Sequence, residues 1–375
     1  MHKFLVVLNV PILAALIALL QTSVFAQSGD NVSKQNDEIT ANSTSSYWTP
    51  DRLKKARPAP LPLSSNEVFV ENRTVPAIPT GLQQSSPGLP PQVRVQLEKK
   101  PLFKPDEIKS TEIQPNNVGT QNAHFTSSQV VPLTADTAYP YSTVGKLFFT
   151  QPGLGDFVCS AAVIRPKLIL TAGHCVHKGS GGSGGFFTNF VFIPAFRDGS
   201  TPFKQWSWSR VITTNTWATG NSTFPNAADY AIIEIPDQYF NQTNRRIGEI
   251  TGYLGYMTNK LLPNHVTMLG YPGNLDSGNK IHQVTAGSYA EGGNNTAIYG
   301  SDMRGGSSGG PWIQNFGVFS SGQVDGQNKS PNQIVGVTSY GTVAVGPLIQ
   351  GSSILDDRFI EMLNTACNWD SRNCQ

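Results

Sequence analysis

The chain is poor in charge. Lys, Arg, Asp and Glu make up only 14% of its 375 residues, and the net charge is +2. No field of one sign points to nucleic acid as a partner. Beyond Leu20 no apolar run is long enough to span a bilayer. Cysteine is scarce, with four residues in all. A phosphate-binding ending is missing too. Gly179-Ser180-Gly181-Gly182-Ser183-Gly184-Gly185 is glycine-rich but does not run through Gly-Lys-Ser/Thr into a helix, so it reads as a mobile surface loop.

What the chain has at its start is an export signal. His2 and Lys3 precede an apolar run from Phe4 to Leu20, and Val24-Phe25-Ala26 supplies small residues for cleavage after Ala26. Residues 1–26 are thus a signal peptide, the mature protein is secreted (extracellular or periplasmic), and no stable membrane association is expected after cleavage. The four cysteines fit that compartment as two disulfides. Three pairings are open; local pairing, Cys159 with Cys175 and Cys367 with Cys374, is the simplest.

Residues 27–137 lack sustained apolar periodicity and are rich in Pro, Asn, Gln and Ser. Pro58, Pro60 and Pro62 alternate. Such a stretch buries too little apolar surface to offset its ordering entropy. It reads as a largely irregular pro-segment or linker, ending near 129 or 137. Tyr47-Trp48-Thr49-Pro50 and Arg52-Leu53-Lys54-Lys55 form a candidate docking element within it.

From Tyr139 strand patterns follow one another. They cover Val144 to Phe149, Val158 to Ile164, Lys167 to Leu170, Asn189 to Ile193, Trp206 to Ile212 and Ala231 to Ile235. Val266 to Leu269, Lys280 to Ala286, Trp312 to Ile313 and Ile334 to Ser339 continue the series. The one convincing helix is Asp356 to Leu363. The class is all-β, and 138–375 forms the folded domain.

Two short stretches carry chemistry. Thr171-Ala172-Gly173-His174-Cys175 turns tightly after an apolar strand, and a bridge from Cys175 to Cys159 would pin the turn. A general base needs that kind of fixed position. Gly305-Gly306-Ser307-Ser308-Gly309-Gly310-Pro311 sets a serine in a glycine frame. A serine hydroxyl needs a nearby base to become a nucleophile. The N–H groups of Gly306 and Ser308 are the expected oxyanion hole, a feature that typically contributes about 3 kcal/mol. Asp229, just before an apolar strand, is the carboxylate chosen to orient His174. Asp198, Glu234 and Asp237 are its rivals.

The order His174, Asp229, Ser308 and the local sequences resemble the trypsin-like serine proteases. The resemblance runs from about Tyr139 to Leu363. It implies two antiparallel six-stranded β-barrels, an active site between them, a C-terminal helix, and an acyl-enzyme mechanism without metal or cofactor. Ser339-Tyr340-Gly341 resembles the edge that pairs with the substrate backbone, so Ser339 and Gly341 are substrate-binding candidates. Val266-Thr267-Met268-Leu269-Gly270-Tyr271-Pro272-Gly273 resembles the secreted bacterial V8-like branch.

Departures from the family matter as much. Ser307 stands where trypsin-type zymogens keep an aspartate for the newly cut N-terminus, so activation must differ. The mature start is expected between Ser127 and Ala138, with Val130 as one candidate. Asp302 occupies the place of the aspartate that binds basic P1 side chains, which makes it a substrate-binding candidate. Thr338 stands where glutamate-preferring relatives place a histidine, which disfavours glutamate at P1. The expected function is a secreted serine endopeptidase acting on polypeptides as a monomer. The alternative is an inactive protease-like binding or adhesion protein. An α/β-hydrolase esterase is set aside because histidine precedes serine and strands surround it.

Overall fold

The computed structural model describes residues 31–36, 44, 46–64, 81–104, 119, 122–132, 134–240, 242–317, 330–341 and 348–375. The signal peptide read at 1–26 lies outside them.

Most strands join one of two large sheets. The first runs Asn31–Gln35, Arg210–Thr214, Ala231–Glu234, Leu168–Thr171, Gly155–Arg165, Val144–Gln151, Thr188–Pro194, Trp206–Ser207. Its strands are apolar on both faces, and the period-two alternation sorts them. Leu147, Phe149, Cys159, Val163, Ile169 and Ile233 enter one core. Phe148, Val158, Ile164, Leu170 and Ile232 enter another.

The second sheet runs Tyr340–Gly341, Ile349–Ser353, Thr296–Gly300, His282–Gly293, His265–Gly270, Pro311–Gln314, Gln333–Val337, Gly255–Met257, Ser85–Ser86. Val266, Met268, Val284, Tyr299 and Trp312 fill its own core. Leu269, Ile313, Ile334 and Val337 face the other way, into the core shared with the first sheet. The closing helix Asp357–Trp369 completes that shared core. Asp356 caps it by accepting from Arg358 N–H, and Phe359, Met362, Leu363 and Ala366 form its buried stripe.

The all-β class and terminal helix agree with expectation, but the strand count does not match two sets of six. The sheets hold nine and ten strands. One reason is that the segment before Tyr139 adds strands to both. Asn31–Gln35 and Arg57–Pro58 join the first sheet; Ser85–Ser86 and Phe125–Gln129 join the second. Another is that Ile349–Ser353 carries too many polar residues to read as a strand in advance.

The segment before Tyr139 is therefore laid over the domain. Sparse apolar residues anchor it: Val32, Trp48, Leu53, Ala59 and Leu61 are all buried. The proposed docking element is a helix, Pro50–Lys55, with Thr49 as its cap. Beside it, Trp48 packs on Phe148. The glycine-rich stretch after His177 contains a short turn, Gly182–Gly185, held by a bond between the His177 ring and Gly182 O.

Candidate active site

His174 follows the strand Leu168–Thr171 within the turn Gly173–Cys175. The bridge Cys159–Cys175 ties that turn to the neighbouring strand Gly155–Arg165, and Cys367–Cys374 closes the C-terminal end. Local pairing is thus the arrangement found. The ligand atoms of His174, Cys159 and Cys175 lie within 4.8 Å of one another, but the two sulfurs are bonded to each other. No thiolate is present there to hold a metal ion.

Asp229 is fully buried just before the strand Ala231–Glu234. Its Oδ1 accepts the His174 backbone N–H at 2.8 Å. Its Oδ2 lies 2.8 Å from His174 Nδ1 and accepts the Ser339 hydroxyl at 2.6 Å. Asp229 N–H in turn donates to Ser353 Oγ at 3.0 Å. A carboxylate on Nδ1 fixes the proton there and leaves Nε2 as the acceptor. The rings of Trp217 and Phe224 stand edge-on to the imidazole. Two of the three rival carboxylates are engaged elsewhere. Glu234 accepts from Ser209 and Asn373, and Asp237 pairs with Lys167 and Arg372.

Ser308 sits in the turn before the strand Pro311–Gln314. Its carbonyl accepts Ser160 N–H at 2.8 Å. Gly309 has φ +77°, and a Cβ there would lie 2.1 Å from Thr171 Oγ1 and 2.7 Å from Ala172 N. Only glycine permits this approach, which sets the serine turn against the residues leading to His174. Ser308 Oγ and His174 Nε2 are both buried, and neither has a hydrogen-bond partner among the described residues. A buried base and a buried hydroxyl that both lack partners are unusual away from a reactive site.

Gly306 has φ +90°. Its N–H donates to Ala59 O at 3.0 Å, and its carbonyl accepts the Ser160 hydroxyl at 2.9 Å. Ser160 Oγ also receives Tyr271 N–H. Ser307 Oγ donates to Arg304 O at 2.7 Å and receives Gln350 Nε2 at 2.9 Å. A neutral hydrogen-bonded pair thus occupies the position that an aspartate would need an amine to neutralise. Neither Ser160 nor Gln350 was legible as a site residue, since their partners are backbone atoms or residues far away in the chain.

Thr338 Oγ1 receives Trp312 Nε1 at 2.9 Å. Ser339 N–H donates to Gly351 O at 2.9 Å, and Gly341 pairs with Gln350. Asp302 neighbours Ser127, His282 and Arg304. Burial raises its carboxyl above the ordinary carboxylate range, opposed by a hydrogen bond from Ser127.

The Asp229–His174 pair and the glycine-framed Ser308 make a candidate site of the serine-protease type. Residues 159–320 match the model of the trypsin-like peptidase domain. A glutamyl endopeptidase of Bacillus licheniformis is 30% identical over 182 residues, which are 48% of this chain and 51% of the relative. The chain thus spans about half the length of the curated relative it matches. A thermostable serine protease from an extremophilic microorganism has a similar structure, with TM-score 0.51 and 26% identity over 63% of this chain and all of that one. The protease Anisep from Arthrobacter nicotinovorans gives 0.50 and 25%, over 60% of this chain and 96% of that one.

Proposed function

We propose that the protein is a secreted serine endopeptidase. Ser308 Oγ attacks the scissile carbonyl carbon while His174 Nε2 takes its proton. The oxyanion formed is met by the N–H groups of Gly306 and Ser308. The C–N bond then breaks, and His174 returns the proton to the leaving amine. Water repeats the sequence on the acyl-enzyme, and His174 again takes and returns a proton. Asp229 stays ionised, orients the imidazole and stabilises its charged form.

One observation carries this reading. Asp229 is held by donors from His174 and Ser339, while His174 Nε2 and Ser308 Oγ remain unengaged beside a glycine frame. Ser308→Ala is expected to abolish peptide hydrolysis and organophosphonate labelling. Hydrolysis at the parent rate in that variant overturns the assignment.

Secretion rests on the export signal and both disulfides; no helix among the described residues is long and apolar enough to cross a membrane. Maturation is by removal of 27–137 or most of it. Phe125–Gln129 pairs with the strand His282–Gly293, so a cut at Val130 would remove an edge strand from the second sheet. For P1, Asp302 favours a basic side chain over glutamate. Ser127 and His282 compete for that carboxylate, so the preference is expected to be weak. A P1 peptide library measures it directly.

A further inference from the structure

The alternating prolines lie across the candidate active site. Arg57 and Pro58 pair in parallel with Phe157 and Val158. Ala59 N–H donates to Val158 O at 2.9 Å, and Ala59 O accepts Gly306 N–H at 3.0 Å. Leu61 is buried against Gly341, where a Cβ would come within 2.6 Å of its Cδ2. Gly341 N–H donates to Pro62 O at 2.8 Å, and Ser64 N–H donates to Gly341 O at 3.1 Å. These two bonds bracket Leu63 in a parallel bridge to Gly341. Ser308, two residues on from Gly306, is fully buried.

We infer that residues 57–64 form a plug that runs backwards through the substrate cleft and keeps the uncleaved chain inactive. The inference rests on the serine-protease reading of the site. A productive substrate lays the residues before its scissile bond along Ser339–Gly341, then reaches the oxyanion donors. Along the strap the order is opposite. Ala59 meets Gly306 first, and residues 62–64 reach Gly341 afterwards. The Ala59 carbonyl therefore takes an oxyanion-hole donor while Pro60 N, its would-be leaving atom, heads along the edge that an acyl group should occupy. The plug binds the machinery without presenting a cleavable bond to it.

The sequence suits this role. Proline fixes φ near the extended polyproline value and lacks an N–H. The strap uses the N–H groups of Ala59 and Ser64 and the carbonyls of Ala59 and Pro62, so no bond asks a proline to donate. A strap already extended loses less entropy on docking. The cleft is thus a site for a short peptide with alternating prolines in reverse polarity.

The test uses the full chain and the rate of organophosphonate labelling at Ser308. Leu61→Ala with Ser64→Pro removes the side chain against Gly341 and the N–H bonded to it. Pro60→Gly is a second variant, which loosens the strap without removing a named contact. Labelling is expected to be about tenfold faster or more in the first variant, as the open fraction rises. Adding a synthetic peptide of residues 57–64 should slow it again, with the peptide recovered intact. The same residues in reverse order should not slow it. Labelling at the parent rate in both variants overturns the plug and leaves the protease reading standing. Cleavage of the peptide, or equal inhibition by the reversed one, overturns its polarity. Failure of Ser308 to label in any form overturns the protease reading and the plug with it.

Discussion

Ser339 Oγ donates to Asp229 Oδ2 over 2.6 Å, on the same oxygen that faces His174 Nδ1. The second donor helps keep the carboxylate aimed. Ser339→Ala keeps the Asp229–His174 contact but removes that support. A hydrogen bond to a charged group is worth about 1.5–3 kcal/mol, so kcat should fall about tenfold or more. KM should change little, and Ser339→Thr should recover part of the loss. Steady-state kinetics with a peptide substrate checks all three.

Ser160 holds the Gly306 peptide from below. Its hydroxyl donates to Gly306 O and accepts from Tyr271 N–H. Ser160→Ala leaves both buried groups without that partner, at a cost of about 1–3 kcal/mol of stability. It should also lower kcat, because Gly306 N–H is then less firmly aimed. Denaturant unfolding and kinetics on one preparation separate the two effects. Full activity in a destabilised variant would confine Ser160 to a structural role.

The bridge Cys159–Cys175 closes a loop with a sequence separation of 16 and holds the turn that carries His174. Replacing both cysteines by serine should cost about 3 kcal/mol on loop entropy. Activity at a temperature where the variant stays folded should fall as well. Replacing Cys367 and Cys374 should leave kcat near the parent value, because that bridge ties the last turn of the closing helix to the C-terminal end.

Lys146 is buried between the rings of Phe148 and Phe196, and no carboxylate pairs with it among the described residues. Burial lowers its pKa to about 7. Between that value and the ordinary lysine range the unfolded chain binds the extra proton. Stability contributed by this group therefore rises with pH above about 7 and is lowest below it. Lys146→Met should stabilise the protein by about 1–3 kcal/mol near neutrality. Melting curves across pH should show a flatter profile for the variant. An unchanged profile would contradict a neutral buried lysine.

Much of this was legible in the sequence, because catalysis needs particular residues in particular local frames. His174 in its tight turn and Ser308 among glycines announce themselves within a few positions. Asp229 is legible from its place before an apolar strand, and the core strands from apolar runs such as Leu168–Thr171. The strand Ile349–Ser353 was not, because most of its residues are polar and its burial comes from neighbours. Ser160 and Gln350 act through distant backbone and side-chain partners, which no local pattern encodes. The proline alternation at 58, 60 and 62 was visible as a pattern. Its place in the cleft was not, because nothing local says which groove an extended strap will occupy.

Ser308 is proposed as a nucleophile activated by His174 and Asp229. The most direct measurement is organophosphonate labelling of the processed, secreted protein, with the adduct located by mass spectrometry. A single adduct on Ser308, absent in Ser308→Ala together with peptide hydrolysis, is the result predicted. Peptide hydrolysis that persists in Ser308→Ala, or an active protein whose Ser308 carries no adduct, would contradict it.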